Sequence, residues 1–472
     1  MLNAIRNNPL LLTDSYNLSH YRLKCNMDWE ISHMYNRKEG MILYGLREIA
    51  TELLAIRITE EHVREAEQCA DMQGLQFPAE LFLKVVRECD GYAPIAIESL
   101  PEGTWCPAGT PFAQVRNTVE GFGELVTWWE GVLMHAYFPS ACATEAFRLR
   151  EYLERKRQEQ GEGEGFYWRL HSFGFRGHRS LEDAYWAGTA WNLSLQGTDD
   201  FHTTLHTPGA VIGSIAALAH KVTQQYDDEL ACFRHAIDAT ADAGEKIVAL
   251  VIDTYDAYRV IREYLPQLAL QARERGIRIV LRPDSGDVLA QAIEIYRTAK
   301  KGGFQNETAV IIGEGMSFEQ VQNYDAELER QGVPLAFVSY GIGSGFYQHL
   351  NRDTYGWAMK TAYSNGKERM KFSMEPLKRS IPGEVKITNI NGRLVAMAAE
   401  EAKAAGEQGL YETIYTHDGI GMPQLLKAGP AHWMEVRGRV QAAIGQTEAK
   451  QKAIELSEGI QNRIEAIAQQ YL

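Results

Sequence analysis

Residues Gly244–Asp287 read GEKIVALVIDTYDAY, then a helical segment, then GIRIVLRPDSGD. Each half opens on an apolar run, Ile247–Ile252 and Ile277–Leu281. Both runs are too short for an ordinary helix and rich in β-branched residues, which predicts two buried strands. Each run stops abruptly in polar chemistry: Asp253, Thr254, Tyr255 and Asp256 after the first, Arg282, Asp284, Ser285 and Gly286 after the second. Between them, Ala257–Arg275 is rich in Leu, Ala, Arg and Glu and predicts one helix. Strand–helix–strand favours a parallel pair whose polar ends share one sheet edge. That edge is where α/β proteins bind and convert ligands.

The same rhythm extends outward. From residue 166 the chain repeats a short apolar run before a polar or glycine-containing tip: FYWRLHSFGFRG, WNLSLQGTDD, AVIGSIAALAH, KIVALVIDTYD, IRIVLRPDSGD, AVIIGEGMS and LAFVSYGIGSG. Helical stretches separate most of them. The pattern predicts an α/β fold, an incomplete (β/α) barrel of about seven parallel strands over residues 161–350. The first three units are too closely spaced for eight-fold closure to follow. Residues 1–160 read as an N-terminal α+β region, and the QGEGEG loop at 160–165 suits a boundary. Within that region Pro94–Val115 reads as a small antiparallel unit and Thr127–Tyr137 as a core helix. Residues 351–472 read as β segments and a terminal amphipathic helix, Ala449–Leu472, packing back on the N-terminal region as a second α+β domain. An Asn-Gly hairpin turn is expected at Asn365–Gly366, and Gly406 onward reads as mostly loop, with one short strand at Leu410–Thr416.

Composition narrows the function. The 472 residues are 45% hydrophobic and 23% charged, ordinary for a globular protein. No apolar run reaches membrane-spanning length and no signal peptide is evident, so the expectation is cytoplasmic, with no membrane partner. A net charge of −14 opposes nucleic-acid binding. Six scattered cysteines without a C-x-x-C pair argue against zinc and against a disulfide framework. An anionic ligand would need locally concentrated Lys and Arg.

Strand tips supply such groups: Arg176, Asp199, His220, Asp253, Arg282, Asp284, Glu314 and the turn Gly341–Gly345. Glycines at a strand end let backbone N–H groups approach a phosphate, arginines grip it bidentately, and paired aspartates can hold Mg2+. The set suits a sugar phosphate of several charges. Each piece also has a plainer role. His220 closes an alanine-rich run and could be a buried core residue. Asp253, Asp256 and Asp284 could cap helices or turns. Phe173 and Tyr16 could be core aromatics, and Arg37 with Lys38 a solvated basic patch. Capping alone does not require a reactive group at almost every tip.

HSFGFRG (171–177), QGTD (196–199), the Ser214–His220 run, IDTYD (252–256), LRPDSG (281–286), IIGEG (311–315) and YGIGSG with NRD (340–353) occur in that order. With TDSYNLSHY at 13–21 they resemble the nicotinamide branch of the type II phosphoribosyltransferase family, from about Leu11 to about Ser380. The resemblance implies attack of nicotinamide on C1 of 5-phosphoribosyl-1-pyrophosphate, giving nicotinamide mononucleotide and pyrophosphate, with Mg2+. It implies that Phe173 and Tyr16 of a second subunit sandwich the pyridine ring, Asp199 accepts from the carboxamide, and Arg282 contacts the amide or the product phosphate region. Arg37, Arg176, Arg352, Lys360 and Lys378 would hold phosphates, and Ser214, Gly313, Glu314, Gly343 and Ser344 would line the ribose-phosphate pocket. Asp253 and Asp284 would meet ribose hydroxyls or metal waters. His220 would be the residue that ATP phosphorylates, and the active form a homodimer with shared sites. Two positions depart from the pattern: Ala219 precedes the histidine where an acid is usual, and Ser172 stands where Asp is usual.

Asp199 separates the two pyridine substrates. A carboxylate attracts an amide N–H and repels nicotinate, which in a poorly hydrated pocket costs several kcal/mol, on the order of a hundredfold or more in affinity. Nicotinamide is therefore expected, with nicotinate as the alternative. Two other classes stay open: a non-catalytic interaction protein on a degenerate barrel, and an aldolase or isomerase using Lys221 or Glu314.

Overall fold

The computed structural model describes residues 7–24, 28–313, 315–373, 378–446 and 450–471. Glu314 lies outside them. The chain divides into two compact units, Ala146–His349 and Met1–Glu145 with Leu350–Leu472.

The first unit is the barrel. Its strands are β1 (Leu170–Ser172), β2 (Gly197–Thr198), β3 (Ala216–Ala217), β4 (Ile247–Val251), β5 (Arg278–Arg282), β6 (Thr308–Ile312) and β7 (Val338–Ile342). They form one parallel sheet in the order β2-β1-β7-β6-β5-β4-β3. A single parallel bridge, Gly197 to Gly213 just before β3, links the two edges. This is the expected seven-stranded incomplete barrel. Its apolar runs are continuous because both strand faces are buried. Ala249, Val280, Ala309 and Ile311 form one cluster, against which Phe173 packs. Val248, Leu250, Ile279, Leu281, Val310 and Ile312, on the alternate face, are also buried.

The helices are α1 (Leu181–Ser194), α2 (His220–Thr223), α3 (Glu229–Asp242), α4 (Leu265–Arg275), α5 (Val288–Gly302) and α6 (Phe318–Arg330). Their starts are chemically specified. Asp287 caps α5 by accepting from Ala290 N at 2.9 Å, and Ser317 with Gln320 makes a full capping box on α6. The crossover from β4 to β5 is less regular than the single expected helix. A π-helical turn, Val260–Tyr264, precedes α4, next to Pro266, which has no N–H to give. The stretch 221–241 likewise splits into α2 and α3, because Asp228 caps a new start at Leu230 N, 3.1 Å away.

Asp325 ties the amino-terminal half of β7 to its neighbours. It accepts from the buried Arg169 guanidinium at 2.6 and 3.1 Å, from Tyr340 Oη at 2.7 Å and from Tyr152 Oη at 2.9 Å. Arg169 Nε donates to Val338 O at 2.9 Å. A buried charge pair with its remaining groups hydrogen-bonded specifies one arrangement of these elements.

The other unit is built on a seven-stranded antiparallel sheet in the order Lys367–Glu368, Trp357–Ser364, Glu30–Asn36, Thr110–Asn117, Ile95–Ser99, Glu412–Thr416, Gln424–Leu425. C-terminal strands thus flank N-terminal ones. Asn365 and Gly366 take positive φ, +48° and +78°, as a two-residue type I′ hairpin demands. Strand Glu30–Asn36 and helix Pro430–Ala443 stand where no element was expected. Thr127–Tyr137 falls within two short helices and the start of a third, and the terminal helix begins at Glu458, not Ala449. The change of unit falls inside the continuous helix Tyr137–Gln160, upstream of the QGEGEG loop.

Candidate active site

The carboxyl ends of the barrel strands gather most of the expected groups on one rim. Phe173 follows β1, and its N–H donates to Ile342 O at 2.8 Å. Its ring lies directly over Gly341, where any Cβ would overlap it and come 3.2 Å from Gly313 Cα. A Cβ on Gly313 would in turn meet Asp284 Oδ1 at 3.1 Å, Arg282 Cδ at 3.8 Å and the Phe173 ring at 3.9 Å. Phe173, Arg282, Asp284, Gly313 and Gly341 are therefore close neighbours, with Phe173 packed on the barrel core.

His220 opens α2 beside it. Its Nδ1 is 3.0 Å from Thr254 Oγ1, which holds the ring. Its Nε2 faces Asp284 Oδ2 at 3.7 Å and Asp253 Oδ1 at 3.9 Å, too far for hydrogen bonds but close enough to attract an imidazolium. The Asp253 side chain is only 7% exposed, and its Oδ2 accepts from Ser285 Oγ. Its Oδ1 and Arg282 Nε are both buried without a hydrogen-bond partner. Buried polar atoms left open in this way mark a place where a ligand can complete the bonding.

Asp199 hangs from β1 through its N–H to Ser172 O, 2.9 Å, and its carboxylate accepts from Ser214 Oγ. It is exposed in this chain. Water screens its field there, so the hundredfold discrimination expected of a desolvated carboxylate needs something to cover it. Beneath it His171 is buried; burial lowers its pKa, and the Asp199 charge opposes that. Ser344 lies against Gly177, where a Cβ would stand 3.1 Å from Ser344 Cβ, so the turn carrying exposed Arg176 packs on the glycine turn after β7. A Cβ on Gly343 or Gly345 would meet nothing within 4 Å, which leaves that backbone open to a ligand.

The remaining expected residues belong to the other unit. Tyr16 is 58% exposed, edge-on to His20. Arg37 follows strand Glu30–Asn36, and its Nε donates to Gly356 O at 3.3 Å. Its pKa is lowered by burial and then by the Arg352 charge. Half-buried Lys360 is lowered by burial too; Glu130 opposes that, while Arg37, Lys371 and Arg352 add to it. The four cations repel one another, and two of them, Lys360 and Lys371, line a cleft of about 450 Å³ with Lys24, Glu30 and Arg369. Lys378 is exposed.

Sequence reasoning gives no individual role to His171, Asp200, Thr254 or Lys371. Thr254 stands in the polar tip after the Ile247–Ile252 run, and Asp200 is the second of two consecutive aspartates at another tip. Lys221 is exposed, so it lacks the desolvated pocket a Schiff-base lysine uses. Among the described residues no three His, Cys, Asp or Glu side chains form a metal cluster, and no helix is long and apolar enough to cross a membrane.

A parallel barrel with arginine, paired carboxylates and open glycine turns at its carboxyl rim is an α/β enzyme scaffold for a phosphorylated ligand. Residues 168–372 match the model of the nicotinate phosphoribosyltransferase (NAPRTase) family. Among characterised relatives, the nicotinamide phosphoribosyltransferase of Xanthomonas campestris pv. campestris is 28% identical over 381 residues, 75% of this chain and 80% of that one. That of Acinetobacter baylyi is 29% identical over 313 residues, 58% of this chain and 62% of that one. The human nicotinate phosphoribosyltransferase is 25% identical over 412 residues, 77% of this chain and 73% of that one. The crystal structure of human nicotinic acid phosphoribosyltransferase superposes with a TM-score of 0.64 at 20% identity, covering 97% of this chain and 100% of that one.

Proposed function

We propose that this chain transfers the 5-phosphoribosyl group from 5-phosphoribosyl-1-pyrophosphate to nicotinamide, in NAD salvage. The ring nitrogen attacks C1, the C1–O bond to pyrophosphate breaks, and the new C1–N bond gives nicotinamide mononucleotide. Loss of pyrophosphate leaves a cation-like sugar, so the site must grip phosphates and hold the two reactants in line; it needs no strong base.

The single observation that carries this reading is the convergence of Phe173, Arg282, Asp284 and the open glycine backbone over the barrel floor. Phe173 stacks the pyridine and Asp199 accepts the carboxamide N–H. Arg282 reaches the amide or the product phosphate region, and Arg176, Ser214, Gly313, Gly343 and Ser344 hold the ribose phosphate. Asp253 Oδ1, buried and unpartnered, and Asp284 are oxygen donors of the kind Mg2+ takes through its waters. A magnesium ion bound there would offset the charge of the departing pyrophosphate. Exposed Phe201 and Leu205, close in sequence to Asp199, suit cover by a second copy, which would bring its own Tyr16 to the pyridine ring and its own Arg37, Arg352, Lys360 and Lys378 to the phosphates. ATP coupling through His220 belongs to the same reading. His220 is 39% exposed and oriented by Thr254, and Ala219 supplies no acidic neighbour; acid-labile phosphate on His220 after incubation with ATP tests it.

Nicotinamide is preferred to nicotinate on two grounds: the Asp199 carboxylate, and the two relatives above at 28 and 29% identity named for nicotinamide. Nicotinate stays the second reading because the human relative is named for it. Steady-state kinetics with each base, for the wild type and Asp199→Asn, tests the assignment. The wild type should favour nicotinamide by at least about tenfold, and the variant should lose most of that preference. An unchanged ratio in the variant removes Asp199 from the account.

A further inference from the structure

Two consecutive aspartates follow β2, and they face opposite ways. Asp199 is exposed and meets Ser214, whereas Asp200 is only 2% exposed. The Asp200 carboxylate reaches back to the turn after β1. Its Oδ2 accepts from Ser172 Oγ and its Oδ1 from Phe175 N at 3.1 Å. The rest of the residue is fixed from three further sides. Its N–H donates to Thr198 Oγ1 at 3.0 Å, and its carbonyl accepts from Thr203 N at 3.0 Å and from Thr203 Oγ1 at 2.8 Å. A Cβ on Gly188 of α1 would lie 3.5 Å from both Asp200 Cβ and Oδ2, so the helix packs flat against it.

The two donors that Asp200 binds bracket Phe173 and stand just before Arg176. A single buried carboxylate thus spans the turn that aims both side chains, one over the barrel floor and one along the rim. We propose that Asp200 is a positioning residue for phosphoribosyl transfer: it fixes the Ser172–Gly177 turn so that Phe173 and Arg176 meet the base and the phosphate. The inference rests on the function proposed above and deepens it.

Hydroxyl and carboxylate can be exchanged across this hydrogen bond. An aspartate at 172 stands three residues before Phe175, the spacing at which a side-chain oxygen accepts an N–H in helix caps. A serine at 200 then replaces the lost hydroxyl. Asp200→Ser leaves Phe175 N–H and Ser172 Oγ without their acceptor, and Ser172→Asp sets two carboxylates in contact. The double variant restores one of each.

The test measures KM for base and for phosphoribosyl pyrophosphate, kcat, and amide hydrogen exchange of residues 173–177, in the full-length wild type, both single variants and the double. Each single variant should raise both KM values about tenfold and speed exchange of the 173–177 amides, with melting still cooperative. The double should return each quantity to within about threefold of wild type. Single variants within twofold of wild type would overturn the proposal, as would a folded double variant that recovers neither KM nor exchange. A single variant that fails to fold is read through the double, whose recovery supports the pairing and whose failure counts against it. A wild type that transfers to neither base fails at the first measurement and removes the functional reading with it. An active wild type with an unrescued double refutes the role of Asp200 alone.

Discussion

Replacing Gly341 with alanine should separate binding of the base from binding of the sugar phosphate. Gly341 is the penultimate residue of β7, with ordinary φ, so alanine brings no backbone strain. Its methyl would instead overlap the Phe173 ring and press on Gly313 Cα at 3.2 Å. Backbone on one side cannot yield, so the ring must. Overpacking a buried site costs about 1–3 kcal/mol. In a barrel unit of this size that lowers melting by roughly 2–10 °C. A displaced ring would also lose the proposed stack on the pyridine, worth about 0.5–1.5 kcal/mol beyond area, or roughly 2- to 13-fold in affinity. KM for the base should therefore rise by up to about tenfold while KM for phosphoribosyl pyrophosphate stays within about twofold. Gly343→Ala is the matched control. Its Cβ meets nothing within 4 Å, so melting should hold and the loss should fall on the phosphate substrate. Steady-state kinetics varying each substrate, with a thermal melt, reads both variants. A folded Gly341→Ala protein with unchanged base KM, or with equal losses on both substrates, would refute the placement of the base on Phe173.

Subunit complementation and acid stability provide further tests. If Tyr16 serves the neighbouring subunit's site, mixing Tyr16→Ala and Arg282→Ala proteins, each inactive alone, and re-equilibrating the subunits should recover about a quarter of wild-type activity. No recovery in a verified heterodimer would mean that each chain uses its own Tyr16. His33 is wholly buried, with its Nδ1 3.2 Å from Tyr35 Oη, and burial pushes its pKa down to about 4. The folded-state value lies below the unfolded one, so the unfolded chain binds this proton first. Stability is intact above about pH 6.5 and falls as pH drops toward about 4, by about 3 kcal/mol in all. Denaturant melts across that range should show a shallower slope in His33→Gln; an unchanged slope would assign the acid sensitivity elsewhere.

The barrel was legible because its strands are buried on both faces, which writes them as unbroken apolar runs such as IVALV and TAVII. Strand tips all lie on one edge, so Asp253, Arg282, Asp284 and the Gly341–Gly345 turn could be grouped without coordinates. Strand Glu30–Asn36 was hidden for the opposite reason. Glu30, Ser32, His33 and Asn36 are buried, so the segment shows no apolar run and no alternation. Helix Pro430–Ala443 buries His432, Trp433, Val436 and Val440, but Gly429, Pro430 and Gly438 disguise it as loop. Asp199 and Asp200 are chemically identical neighbours, and only the fold makes one a rim group and the other a buried clamp. The exposure of Asp199 was equally invisible, since screening depends on what covers a residue.

The most direct measurement offers the wild-type protein phosphoribosyl pyrophosphate, magnesium and an equimolar mixture of nicotinamide and nicotinate, with the two mononucleotides quantified as they form. Nicotinamide mononucleotide should predominate by about tenfold or more, with one pyrophosphate released per nucleotide. A product pool dominated by nicotinate mononucleotide would contradict the role given to Asp199, and no mononucleotide of either kind would contradict the account at its root.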